Sequence, residues 1–334
     1  MTKQYQLTGL GNAIVDVIAK ADDGFLAAHA ITKGAMNLID LERARLLYDA
    51  IGPATEVSGG SAGNTMAGFA SFGGKGAYLG KVADDQLGRI FAHDMQAGGV
   101  HFATPPLKDG PETARCMIVV TPDAQRSMNT YLGACVEFSE ADVDEALIAD
   151  SAIIYLEGYL FDKDTAKKAY RKATRAAHAA GNKVSLTLSD SFCVERHRAD
   201  FLDLIANETD VLFANEAEIL ALYQTTNFND AIASIRGRCD IAVVTRSEKG
   251  SVIVTEKETF EIGIQPVDKL VDTTGAGDQY AAGFLFGLAN GYDHVQCGAL
   301  GALAAAEVIS HVGPRPDVSL ATLAQQKLGL KVAA

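Results

Sequence analysis

Val271-Asp272-Thr273-Thr274-Gly275-Ala276-Gly277-Asp278 runs straight into the apolar segment 279–288. Polar and glycine-rich residues stop where a helical pattern begins, so unpaired backbone N–H groups and the positive end of a helix dipole face one small volume. That volume suits an anion. Gly275 and Gly277 have no Cβ, which lets a phosphate approach the backbone around Ala276, and Asp278 sets a carboxylate beside the same place. A base next to a phosphate cradle is the equipment of phosphoryl transfer.

Other polar residues could serve the same chemistry. Asn12 and Asp16 follow a strand-like run, and a carboxylate can accept hydrogen bonds from two adjacent hydroxyls, so Asp16 suits a vicinal diol such as that of ribose. A second glycine-rich turn, Ser58-Gly59-Gly60-Ser61-Ala62-Gly63-Asn64-Thr65, offers backbone amides and the Asn64 side chain to a polyhydroxy ligand. Asn215 and Glu218 stand three apart at a helix start, a spacing that also makes an N-cap. The histidines form no H-x-x-x-H pattern and no triad, which leaves them surface or packing roles.

Several familiar nucleotide motifs fail. The turn Gly9-Leu10-Gly11-Asn12 lacks the third glycine of a dinucleotide fingerprint, and 14–19 reads as a strand where that motif needs a helix. No G-x-x-x-x-G-K-[ST] occurs, since 76–81 misses by one spacing, and neither H-R-D nor D-F-G is present.

The elements that must position these residues alternate. Short β-branched runs at 151–156, 183–188, 211–213 and 241–245 are separated by helical stretches at 164–180, 216–223 and 229–236. This predicts βαβ units around a mostly parallel sheet, with ligands beyond the carboxyl ends of the strands. Three such ends carry polar residues: Glu157-Gly158-Tyr159, Ser189-Asp190-Ser191-Phe192 and Asn215-Glu216-Ala217-Glu218. A hairpin is expected at 250–262 and two Ala- and Gly-rich core helices at 279–290 and 294–310. Segments 12–20, 33–40 and 113–132 read as small strands, expected to form a lid over one large domain spanning 1–334. The stretch 80–88 reads as a structural turn with solvated charges.

Asp plus Glu number 42 against 29 Lys plus Arg, a net charge of -13 that repels nucleic acid and anionic membranes. The five cysteines are scattered with no C-x-x-C, and the amino terminus has no apolar leader, so the expectation is a protein of the reducing cytoplasm.

The full pattern Asp-Thr-Thr-Gly-Ala-Gly-Asp at 272–278 resembles the signature of the ribokinase-like (PfkB) carbohydrate and nucleoside kinases, and the similarity extends in order from Gly11 to Gly313. Gly11-Asn12-Ala13-Ile14-Val15-Asp16, Gly59-Gly60-Ser61 with Asn64, and Glu157-Gly158-Tyr159 look most like that family's adenosine kinase branch. The resemblance implies a doubly wound α/β fold with a β lid and ATP-dependent phosphorylation of a nucleoside 5′-hydroxyl, adenosine first. It implies that Asn12, Asp16, Gly60 and Asn64 hold the ribose while Asp278 takes the hydroxyl proton. Asn215 and Glu218 resemble the family's N-x-x-E pair, which orders Mg²⁺ and phosphates largely through water, and Thr274 lies beside the implied phosphates. The loop Thr245-Arg246-Ser247-Glu248-Lys249-Gly250 resembles its ATP-phosphate loop, with Ser247 where a glycine is common. Tyr159, Leu160 and Phe192 match the neighbourhood that packs the purine, and a K⁺ site is implied near Asp272. The alternatives are another nucleoside (inosine, guanosine), a sugar such as ribose, or a catalytically silent nucleoside-binding regulator. A monomer or homodimer fits equally.

Overall fold

The structure, a computed structural model, describes residues 3–123 and 125–330. Its main sheet has nine strands in the order Thr259–Ile262, Ser251–Val254, Ile241–Thr245, Val211–Asn215, Lys183–Thr187, Ser151–Glu157, Tyr5–Leu10, Gly76–Leu79 and Val100–Phe102. All neighbours are parallel except the hairpin at the first edge, which pairs antiparallel. Strands buried on both faces read as continuous apolar runs, and alternate residues supply opposite cores. Ile153 and Tyr155 join the core that packs helices Ser61–Ser71, Ala276–Ala289 and His294–Val308. Ile154 and Leu156 join the other, with helices Asp164–Ala179 and Ser191–Glu208. From Tyr5–Leu10 the chain order runs one way to Gly76–Leu79 and the other way to Ser151–Glu157, so a crevice opens at the carboxyl ends of these central strands.

A second sheet of five strands lies in the order Met36–Leu38, Arg126–Tyr131, Ala114–Val120, Ile14–Lys20 and Ala54–Gly59. Its two-residue alternation separates two roles. Val17, Met117 and Val119 pack with Leu26 and Leu47 of the helices Asp23–Ala28 and Leu41–Ala50. Asp16, Cys116 and Ile118 face the crevice instead.

Some expectations need correction. The strand Ala54–Gly59 belongs to the small sheet, with Ile14 opposite Gly59, although its last two residues, Ser58 and Gly59, read as the start of a turn. Gly60, at φ 82°, ends the strand and the helix begins at once with Ser61, so Ala62, Gly63 and Asn64 are helical. The charges of 80–88 are not all solvated: Lys81 is buried against Asp142 at 2.5 Å, and Asp85 caps the helix Gln86–Ala97 and binds Thr113. Their partners are remote in the chain, which hides the burial. Ser189-Asp190-Ser191-Phe192 marks a long helix start, where Asp190 accepts from the N–H groups of Phe192 and Cys193.

Candidate active site

A cavity of about 600 Å³ lies between the two sheets at the carboxyl ends of the central strands. Its wall draws on residues from Asn12 to Pro314.

Asp278 sits in the first turn of the helix Ala276–Ala289, whose N-cap Gly275 has φ 78°. A Cβ on Gly275 would lie 2.7 Å from Pro314, whereas one on Gly277 would meet nothing within 4 Å. The floor beside Gly277 is therefore open to a ligand; of the expected anion cradle, the Ala276 N–H is already spent on Thr273 O at 3.2 Å, which leaves the N–H groups of Gly275 and Gly277. Thr274, Gly275, Ala276 and Gly277 all line the cavity. Asp278 accepts from Ser61 Oγ at 2.6 Å and from Asn64 Nδ2 at 3.3 Å. Burial pushes its carboxyl up to about 7, the two hydrogen bonds oppose the rise, and the negative charge of Asp16 adds to it.

Asp16 lines the same cavity and is 7% exposed. Burial raises its carboxyl to about 6, against the pull of Arg315 and Arg126. A Cβ on Gly59 would stand 2.5 Å from Asp16 Cγ, so Gly59 makes room for this side chain rather than touching the cavity itself. Asn12 is held by Glu157, whose Oε1 accepts from its Nδ2 at 3.0 Å while Oε2 accepts from the N–H of Ala62 at 2.8 Å. Asn12 Oδ1 is buried on the cavity wall without a hydrogen-bond partner, a vacancy that suits a donor hydroxyl. Glu157, raised by burial to about 7, was marked in the sequence as a polar strand end and as part of the Glu157-Gly158-Tyr159 motif, but not as the partner of Asn12 and Ala62. Gly60, Ser61 and Asn64 complete this side.

At the other end, Asn215 and Glu218 form a reciprocal capping box and also line the cavity. Capping the helix and standing on the cavity wall are therefore compatible for this pair. Glu218 is 4% exposed, and burial raises it to about 7. Thr245 reaches the cavity, but Arg246 and Gly250 do not. Arg246 stacks on Phe228 at 3.7 Å and binds Glu216 at 3.1 Å, which turns it along the surface. Gly250, at φ 82°, closes a short turn onto Ser247. Among the described residues no group of three His, Cys, Asp or Glu side chains gathers that could hold a metal.

Tyr159 and Phe192 line the cavity, with Phe192 69% exposed. Leu160 does not; it is 2% exposed inside the second core, because the 3₁₀ turn Gly158–Asp162 points it away. The small sheet supplies what sequence reading missed, an apolar wall of Ile14, Met36, Leu38, Ile118 and Met128, extended by Leu132 just past the strand Arg126–Tyr131. Asp272 stays off the wall. Its carboxylate accepts from Thr274 N, Thr274 Oγ1 and Gly313 N and pairs with Arg126 at 2.5 Å.

The family model described as pfkB family carbohydrate kinase matches residues 35–320. The chain belongs to that family. It is a kinase of the ribokinase-like fold, a phosphotransferase whose acceptor is an alcohol group and whose family uses ATP. A solved structure of adenosine kinase from Sinorhizobium meliloti is 56% identical with a TM-score of 0.89, covering 97% of this chain and 99% of that one. Adenosine kinase of Saccharomyces cerevisiae is 28% identical over 330 residues, 92% of this chain and 96% of the relative. A 5-dehydro-2-deoxygluconokinase of Geobacillus thermodenitrificans is 29% identical over 270 residues, 77% of this chain and 79% of the relative. The adenosine kinase-like branch is thus supported. No helix among the described residues is long and apolar enough to cross a membrane.

Proposed function

We propose that this kinase transfers the terminal phosphoryl group of ATP to the 5′-hydroxyl of a nucleoside, adenosine before others. The observation that carries the reading is the single cavity shared by Asp16 and Asp278 under an apolar wall. Asp16 and the orphaned Asn12 Oδ1 suit the two hydroxyls of a ribose. A free sugar would leave Ile14, Leu38, Ile118 and Met128 facing water, whereas a purine would cover them and could stack on Tyr159 or Phe192.

In this reading Asp278 accepts the proton of the 5′-hydroxyl as that oxygen bonds to the terminal phosphorus of ATP and the bond from that phosphorus to the bridging oxygen breaks, releasing ADP. The N–H groups of Gly275 and Gly277 and the dipole of the helix face the charge on the moving phosphoryl oxygens, while that of Ala276 donates to Thr273 O at 3.2 Å. Glu218 and Asn215 fit a magnesium ion held through water, since both already spend their side chains on each other and no cluster of acidic ligands is present among the described residues. The ion, when bound, neutralises the polyphosphate. Thr245 and Thr274 border the space for those phosphates. The potassium expected near Asp272 finds that carboxylate already engaged by four donors, so K⁺ enters the assay as a variable without an assigned side-chain ligand.

The test is a panel of adenosine, inosine, guanosine, ribose and fructose with ATP and Mg²⁺, with and without K⁺, read as ADP release. Adenosine should give the highest kcat/KM. The 5-dehydro-2-deoxygluconokinase likeness favours a sugar-acid acceptor as second reading, so that compound joins the panel. Turnover of a sugar with none of any nucleoside would replace the proposal. Tight nucleoside binding without ADP formation would indicate a silent sensor.

A further inference from the structure

Arg315 follows the helix His294–Val308 and is the chain neighbour of Pro314. Pro314 lines the cavity and Arg315 does not. Its Nη1 donates to Ser58 Oγ at 2.8 Å, and its Nε donates to Asn64 Oδ1 at 3.3 Å. The same Asn64 presents Nδ2 to Asp278 Oδ2 at 3.3 Å. An amide has one accepting end and one donating end, and a guanidinium only donates. With Arg315 fixing the oxygen, the N–H end must face Asp278; a flipped amide would set oxygen against carboxylate and N–H against guanidinium.

The spacing of this relay is itself held. Gln279, 0% exposed, donates from one nitrogen to Asn64 O at 2.9 Å and to Pro314 O at 2.8 Å. That ties the helix bearing Asn64 and the segment bearing Arg315 to the residue next to Asp278. We propose that Arg315 is a positioning residue for phosphoryl transfer: it orients the Asn64 amide so that this amide holds the Asp278 carboxylate in place for the acceptor hydroxyl. The inference rests on reading Asp278 as the base.

The test is a double-mutant cycle on the full chain, with kcat and KM measured using the best acceptor from the panel above, ATP and Mg²⁺. Arg315→Ala should lower kcat by about tenfold to a hundredfold, the scale of a misplaced reacting group, with KM for ATP little changed. In an Asn64→Leu background the same change should cost less than about twofold, because the relay is already cut. Millimolar guanidinium should restore part of kcat to Arg315→Ala and none to Asp278→Asn. Should Arg315→Ala fail to fold, the cycle is run with Arg315→Lys, which keeps the charge and loses the Nε donor.

An undiminished kcat in folded Arg315→Ala, or an equal loss in both backgrounds, would overturn the inference. An inactive Asp278→Asn beside an undiminished Arg315→Ala removes this inference alone. Full kcat in Asp278→Asn removes the base assignment and this inference with it.

Discussion

The hydroxyl of Ser61 donates to Oδ1 of Asp278 at 2.6 Å across 217 positions of sequence. It joins the first turns of two helices whose starts meet at the cavity. A carboxylate so held is aimed but not neutralised, which is the condition a general base needs.

Asp278→Asn keeps the shape of the side chain but cannot take a proton. It should lower kcat by about 10² to 10⁴ while KM for the acceptor stays within a few-fold of wild type. Steady-state kinetics on a variant with unchanged circular dichroism checks this, and a retained kcat would remove Asp278 from the chemistry.

The acid limb of kcat/KM should report the raised carboxyl. Burial holds the Asp278 carboxyl up at about 7, so with the proposed base role kcat/KM should climb through about 7 to a plateau. Stability runs the other way. A carboxyl raised by folding contributes stability fully below its unfolded value of 3.8, and that contribution is lost as pH rises through the folded value. Asp16, Glu157 and Glu218, raised to about 6, 7 and 7, act in the same sense. Ligand-free Asp278→Asn should therefore melt above wild type at pH 8 and show little difference at pH 4. An identical gap at both values would contradict the raised carboxyl.

Gly59→Ala should imitate loss of Asp16. The new Cβ would press to 2.5 Å from Asp16 Cγ and displace the carboxylate. Asp16→Ala should weaken the acceptor by about 1.5 to 3 kcal/mol, the worth of a charge-assisted hydrogen bond, and Gly59→Ala should raise KM in the same direction with kcat less affected. Titration calorimetry with the acceptor decides it; unaltered affinity in both variants would separate Asp16 from the substrate.

The two glycines of the anion loop should respond differently to alanine. At Gly275 the positive φ and the contact with Pro314 oppose a side chain, so Gly275→Ala should cost about 1 to 3 kcal/mol of stability and lower activity. Gly277→Ala meets open space and should melt as wild type while raising KM for ATP, because the methyl group occupies the approach to the backbone. Thermal melts and ATP kinetics on the pair test this; a wild-type KM for ATP in Gly277→Ala would argue against phosphate contact there.

What the sequence made legible follows from locality. The runs at Ser151–Glu157 and Ile241–Thr245 are apolar on both faces and declare buried parallel strands, and the glycines before Asp278 announce a helix start by composition alone. The helix Ser191–Glu208 stayed hidden because its buried positions, Val194, Phe201, Leu204 and Ile205, are sparse among charges and His197 kinks it. The partners of Glu157, the place of Arg315 and the apolar lining of the lid could not be read because their meaning is relational. Glu157 matters through Asn12 and Ala62, and Arg315 through Asn64, partners that only tertiary folding supplies. Leu160 illustrates the converse, since it neighbours Tyr159 in the chain yet turns into the core.

The cavity wall reaches from Asn12 to Pro314, and this has a consequence for biosynthesis. Strands of the small sheet and the central βαβ units can form as the chain leaves the ribosome, since synthesis proceeds from the amino end. The reaction chamber cannot close until Pro314 has emerged. A nascent chain halted before that point should carry Asn12, Asp16 and the helix of Asp278 yet lack the segment that seats against Gly275, so the complete chamber arrives late in translation.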